Sequence, residues 1–286
     1  MKQKLVQLTE NFSYLECGDN DRPNMGLVKG KNHYLVIDGG NSKGNVDLFY
    51  SYTGLHNKNG GFLVLTHHHW DHVCGASFLE MPLIAGCQII EGIKKQQKMD
   101  WSREGIEDSC SKGIIPEFTK RNMLGELILD PSVKKHHFRI PDIGTEGKIN
   151  FDLGGVHAEY FPIKSSHTSE QYSVYVREDR VLFIGDILWP NMDGPEENWY
   201  YSLKEFMQMK ETLLGIDALW YVESHAAPID RTTLSIWLLR TEWILRFILE
   251  KKGTMEDAEK EMPEELRSTT LGYEQYLTQA FKNVRE

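Results

Sequence analysis

What this chain lacks narrows it first. Its four cysteines, Cys17, Cys74, Cys87 and Cys110, show neither C-x-x-C spacing nor the density of a disulfide scaffold, so reduced thiols in a cytoplasmic protein are expected. No apolar run approaches a membrane span, and polar residues interrupt positions 1–10, where a signal-peptide core would lie; neither insertion nor secretion is expected. Basic residues are outnumbered, 32 against 42 acidic, for a formal charge of −10, and a chain without a basic footprint is not expected to bind nucleic acid. Internal repeats and flexible linkers are missing too. What remains is ordinary for a soluble globular protein: 286 residues, 40% hydrophobic and 26% charged, with ample length for a core.

Against that background stands Thr66-His67-His68-His69-Trp70-Asp71-His72, in which five of seven residues can donate to a metal. The apolar run 61–65 before it suits a buried strand, so the donors begin where a strand ends. In extended backbone residues i and i+2 point the same way, which lets His67 and His69 share one metal while His68 is turned aside. Asp71 and His72 fall at the start of a helix read over 72–79, where a second metal can sit. Imidazoles with a carboxylate suit Zn²⁺, with Fe or Mn as alternatives.

Further donors recur where strands end. Apolar runs at 5–8, 12–17, 25–28 and 33–38 read as a β-meander whose last strand delivers Asp38 into a Gly-Gly turn. A helix over 46–54 and the strand into His67 then alternate as in an α/β fold, where functional groups gather at the carboxyl ends of strands. From 88 to 133 the pattern weakens into polar helices and loops, read as a lid-like insertion. Strands at 156–163, 172–176 and 181–184 predict a second sheet; His167 lies in the loop after the first, and Asp186 follows the third. A helix near 202–214 precedes a strand over 218–224 that ends at His225. Beyond 232, Leu234, Trp237, Leu238, Ile244 and Leu245, then Tyr273, Leu277 and Phe281, follow helical spacing and read as core packing or as the interface of a homodimer.

Taken in order, Asp38, the 67–72 cluster, His167, Asp186 and His225 resemble the five sequence motifs of the metallo-β-lactamase superfamily, over roughly residues 10–230. The resemblance implies an α/β architecture, an αβ/βα four-layer sandwich with metals at one edge, in which residues 1–230 form the domain and 231–286 a C-terminal helical extension packed on it. It implies one metal on His67, His69 and His167, a second on Asp71, His72 and His225, Asp186 bridging them, and Asp38 orienting the metal loop without binding. Two divalent ions so placed bring a bridging water's pKa towards neutrality, so that hydroxide is the nucleophile and Asp71 relays its proton. His33, His56, His136, His137 and His157 match no motif.

Three branches of that superfamily fit poorly. β-Lactamases with His-x-His-x-Asp-His lack the bridging aspartate; RNA-processing members insert a large domain where only 39 positions separate Asp186 from His225; flavodiiron members replace the second histidine and append a flavodoxin domain. The expectation is a glyoxalase- or lactonase-like hydrolase of a small-molecule carboxylic ester or thioester, with lactones or phosphodiesters as alternatives. A mononuclear-iron sulfur dioxygenase-like enzyme and a catalytically inactive small-molecule sensor are the readings from other classes. Ser166-His167-Thr168-Ser169-Glu170 and Ser224-His225-Ala226 depart from the usual glycine-rich third and last motifs, and Trp189 stands where lactonases commonly carry tyrosine. Trp189, Trp199 and Tyr200 read as an aromatic wall for the substrate.

Overall fold

Short apolar runs broken by turn clusters form an antiparallel meander at the start of the chain: β1 (Leu5–Gln7), β2 (Phe12–Leu15), β3 (Met25–Lys29) and β4 (Tyr34–Ile37). The computed structural model describes residues 3–56, 59–127, 138–267 and 277–286; Tyr273, His136, His137 and the 128–133 end of the expected insertion lie outside them. After β4 comes α1 (Lys43–Thr53), starting before the expected 46 because the Ser42 side chain accepts the Asn45 amide as a cap, and stopping at Gly54 in the left-handed conformation. β5 (Gly61–Val64) lies parallel to β4.

The helix read over 72–79 is shorter and tighter than expected: α2 (Trp70–Val73) passes into a 3₁₀ segment, Cys74–Phe78. Close packing explains this, since the Gly75 amide bonds the Gly40 carbonyl at 2.8 Å and a Cβ on Gly75 would lie 2.2 Å from the Gly39 carbonyl oxygen. Then follow β6 (Leu83–Gly86), α3 (Cys87–Gln96), α4 (Arg103–Ser111), α5 (Glu117–Leu127) and β7 (Ile143–Thr145). β1 to β7 form one sheet in chain order, antiparallel as far as β4 and parallel beyond it.

The predicted second sheet is present. It comprises β8 (Ile149–Asp152), β9 (His157–Ile163), β10 (Gln171–Val176), β11 (Val181–Gly185), β12 (Trp220–Glu223) and β13 (Ile229–Asp230), with α6 (Leu203–Gly215) crossing between the parallel pair β11 and β12. α7 (Arg231–Lys251) and α8 (Met255–Glu261) follow. None of the helices described is long and apolar enough to cross a membrane.

Alternation along β11 shows how the layers stack. Val181 and Phe183 join Phe12, Val28, Ile37, Tyr160 and Tyr172 in a core between the sheets, while Leu182 and Ile184 join Phe206, Leu213, Tyr221, Leu234, Trp237, Leu238 and Leu245 in a second core under the helices. A sheet buried on both faces needs helices outside it, and the result is an α/β sandwich. The apolar stripe of α7 is therefore spent inside this chain. Trp237, 1% exposed, is among the largest fully buried side chains. Trp237→Ala is expected to cost about 3–5 kcal/mol of stability, read as a lowered urea midpoint; a midpoint near wild type would show that α7 does not unfold with the sheet it covers.

Candidate metal centre

Strand ends place the donors. β4 runs into Asp38, β5 into Thr66 and His67, β11 into Asp186 and β12 into Ser224 and His225, while the loop from β9 to β10 carries His167. All seven expected ligands converge in two groups: His67, His69 and His167, and Asp71, His72, Asp186 and His225, each offering one donor atom within 4.8 Å of the others in its group. The rings of His67 and His69 meet edge to face with centroids 4.7 Å apart, as the i, i+2 geometry predicts.

Hydrogen bonds at the outer ring nitrogens aim the inner ones. Nδ1 of His72 lies 2.8 Å from Asp38 Oδ2, that of His67 3.0 Å from Thr66 Oγ1, and that of His167 2.9 Å from the Pro190 carbonyl oxygen. Nε2 of all three, with Asp186 Oδ1, is buried and has no hydrogen-bond partner among the described residues. Buried polar atoms are seldom left so, and four of them within one set of imidazoles and carboxylates fit divalent cations.

Electrostatics agree. Burial, with His72 alongside, holds His67 well below the usual histidine range, and burial with His69 alongside brings His167 down to about 4, so both present lone pairs. Burial works against charge on Asp71 and Asp186, yet His72 and His225 hold both carboxyls well below the usual range. Burial likewise opposes charge on His72 and His225, and their carboxylate neighbours outweigh it, raising both.

His68 stands apart from the His67, His69 and His167 group: its ring packs on α3, where a Cβ at Gly92 would lie 2.4 Å from it, and burial brings its pKa down to about 3. There it shares a third group of donors with His69 and Asp193. Asp193, 3.7 Å from His69 Nε2, carried no spacing signal because it sits in an irregular loop. Glu223 was also missed: it is buried, accepts the Trp189 indole N–H and the His225 amide, and burial lifts its pKa to about 7. It reads in sequence as one more residue of β12.

The centre opens into a cavity of about 780 Å³. Trp189 and Trp199 form part of its wall, and the α3–α5 region supplies the facing side through Met99, Trp101, Ile115 and Phe118, with Trp199 edge-on to Phe118 at 5.8 Å. Tyr200, expected in that wall, is not part of it. Asn191 and Tyr200 pair as a β-bridge, and in extended backbone neighbouring side chains alternate, so Trp199 faces the cavity while the Tyr200 ring lies 3.5 Å under the Arg285 guanidinium. Residues 277–286 brace this loop: Asn283 Nδ2 donates to the carbonyls of Glu197 (2.6 Å) and Trp199 (2.8 Å), and the Arg285 amide to Tyr201 (2.8 Å).

A sequence model described as the metallo-beta-lactamase superfamily matches residues 18–222. Among solved structures, a metallo-beta-lactamase from Pontibacter korlensis superposes with a TM-score of 0.52 at 16% identity, covering 82% of this chain and 96% of that one. DIM-1 metallo-beta-lactamase gives 0.56 at 12%, covering 85% and 96%. The stereoselective inverting sec-alkylsulfatase Pisa1 from Pseudomonas sp. gives 0.58 at 14%, covering 99% of this chain and 47% of that one. Likeness at such identities shows the fold alone. No curated protein sequence matches. The family match spans most of the chain and takes in every candidate donor except His225, which follows it by three positions; this chain belongs to the metallo-beta-lactamase superfamily.

Proposed function

We propose that this protein is a cytoplasmic hydrolase that holds two divalent metal ions and cleaves a small-molecule carboxylic ester or thioester. The position of Asp186 carries the reading. Its Oδ2 lies 3.8 Å and 3.6 Å from Nε2 of His67 and His167, and 3.5 Å and 3.4 Å from Nε2 of His72 and His225, so one carboxylate oxygen faces both donor groups. His67, His69 and His167 would hold one ion and Asp71, His72 and His225 the other, with Asp186 available to both. Zinc suits these donors best, and iron or manganese suits them next.

When bound, two such ions supply Lewis acidity and an acidified water, so no serine or cysteine nucleophile is needed. The chain's own residues do the rest. Asp186 offsets part of the charge of two neighbouring cations. Asp71, whose Oδ2 is 3.0 Å from His72 Nε2 and 3.3 Å from His225 Nε2, faces the cavity as a proton acceptor. Asp38 keeps the His72 ring in one orientation through Nδ1. Trp189, Trp199 and the helical wall pack the organic part of the substrate and exclude water, in a space sized for a small molecule. In this reading residues 1–230 carry the chemistry, about 88–133 act as the lid, and 231–286 pack on the domain from outside.

Zinc-reconstituted protein is expected to retain about two equivalents of metal by elemental analysis. A single equivalent that survives both Asp71→Ala and His225→Ala would overturn the dinuclear assignment. Asp186→Ala is expected to lower kcat/KM on the best ester by about 10³-fold or more, whereas Asp38→Asn, which leaves every donor atom in place, weakens metal retention by about 10- to 100-fold. Equal effects of the two on metal content and turnover would remove the distinction between a shared donor and a residue that orients one.

A further inference from the structure

The cavity contains charge that the metal centre does not use. Four of its acids stand in or against the donor set: Asp71 and Asp186 among the imidazoles, Asp193 near His69, and Asp21, with an oxygen 3.8 Å from His225 Nδ1. A fifth, Asp19, is exposed on the loop from β2 to β3. Facing them from the helical wall are two cations, Lys95 on α3 and Arg121 on α5.

Most of their neighbours are paired; Lys98, which has no ion pair among the described residues either, lies outside the cavity lining, so it is lining the cavity unpaired that sets these two apart. On the same three helices and their ends, Lys94 pairs with Glu91, Arg103 with Glu107, Lys112 with Asp108 and Lys120 with Glu117, all at i, i+3 or i, i+4 spacing. Lys95 and Arg121 line the cavity instead and make no ion pair with any described residue. In a chain with ten more acids than bases, such cations are readily neutralised by the protein itself. Trp101, Ile115 and Phe118 lie along the same wall, and apolar surface beside a charge strengthens its attraction for an opposite one relative to open water.

We propose that Lys95 and Arg121 form a binding site for an anionic head group, so that the ester or thioester cleaved at the metal centre carries a carboxylate or phosphate on its organic part. The inference rests on the hydrolase reading for the bond cleaved, but the anion site is testable without turnover. Both side chains are exposed, so Lys95→Gln with Arg121→Gln leaves the cores intact.

Zinc-loaded wild type and the double variant are compared in two ways. Titration calorimetry uses three uncleavable probes: 5-phenoxypentanoate, its phosphonate counterpart and neutral 5-phenoxypentan-1-ol. Wild type is expected to bind at least one of the anions about tenfold more tightly than the alcohol, the tighter anion naming the head group, and the variant to lose that preference. Kinetics use the aryl monoester of glutaric acid and the matching aryl pentanoate, with the preference for the charged ester in kcat/KM lost in the variant and turnover of the neutral ester unchanged. An anion preference that persists in the variant places the anion on the metals and overturns the site, as does equal binding of all three probes. If neither ester is turned over while the variant still loses anion binding, the hydrolase reading fails and the anion site stands.

Discussion

A single buried carboxylate sets the geometry on which the centre depends. Asp38 is fully buried and sits in the left-handed region with φ 65°, a conformation that costs a residue with a side chain about 1–3 kcal/mol. Its Oδ1 accepts the Thr66 amide at 2.7 Å; its Oδ2 accepts the Thr66 hydroxyl at 2.9 Å and faces His72 Nδ1 at 2.8 Å. The ends of β4 and β5 are thereby tied together, and the segment between Thr66 and His72 is held at both ends. Thr66 relays the constraint to His67, and it also explains Gly185: with φ 58°, a Cβ there would come within 2.9 Å of Thr66 Oγ1. Only glycine lets β11 approach closely enough to set Asp186 among the histidines of the other sheet.

That dependence explains what could be read from the sequence. Donors fixed at strand ends follow rules of spacing and periodicity, so His67, His69, Asp71, His72, His167, Asp186 and His225 were all visible, and all of them meet. The two-sheet architecture was visible for the same reason, through apolar runs cut by turn residues. β6 and β7 were not. β6 is four buried residues with no alternation, and β7 is three residues with an exposed isoleucine, too short to show a period. Asp193 and Glu223 escaped because their roles come from tertiary contact with His69 and Trp189, which no local pattern encodes. The place where His68 comes to rest was not legible, because alternation gives only the direction a side chain leaves the strand; Gly92, 24 positions on, supplies the space that receives it.

Floor and wall of the cavity are built on different terms. The floor comes from side chains locked by buried hydrogen bonds at the edges of both sheets. The wall comes from α3–α5 and the loop after β11, whose hold on the body is made of discrete contacts. Arg22 grips Glu126 on α5 through two nitrogens while Ser42 donates to the same carboxylate, which pins the end of the helical wall to the cap of α1. Divergence of such wall residues with a conserved floor is how one fold comes to serve different substrates.

The brace by Asn283 and Arg285 fixes an order of events. Synthesis runs from the amino end, and early elements pack as they emerge. Both sheets, and with them every candidate metal donor, are complete once Asp230 has left the ribosome, but the carbonyls of Glu197 and Trp199 must wait for a residue more than eighty positions after them before their loop is secured. A nascent chain therefore owns its donor set before it owns a finished wall. During that interval the Trp199 side of the cavity lacks the two hydrogen bonds that tie it to the end of the fold.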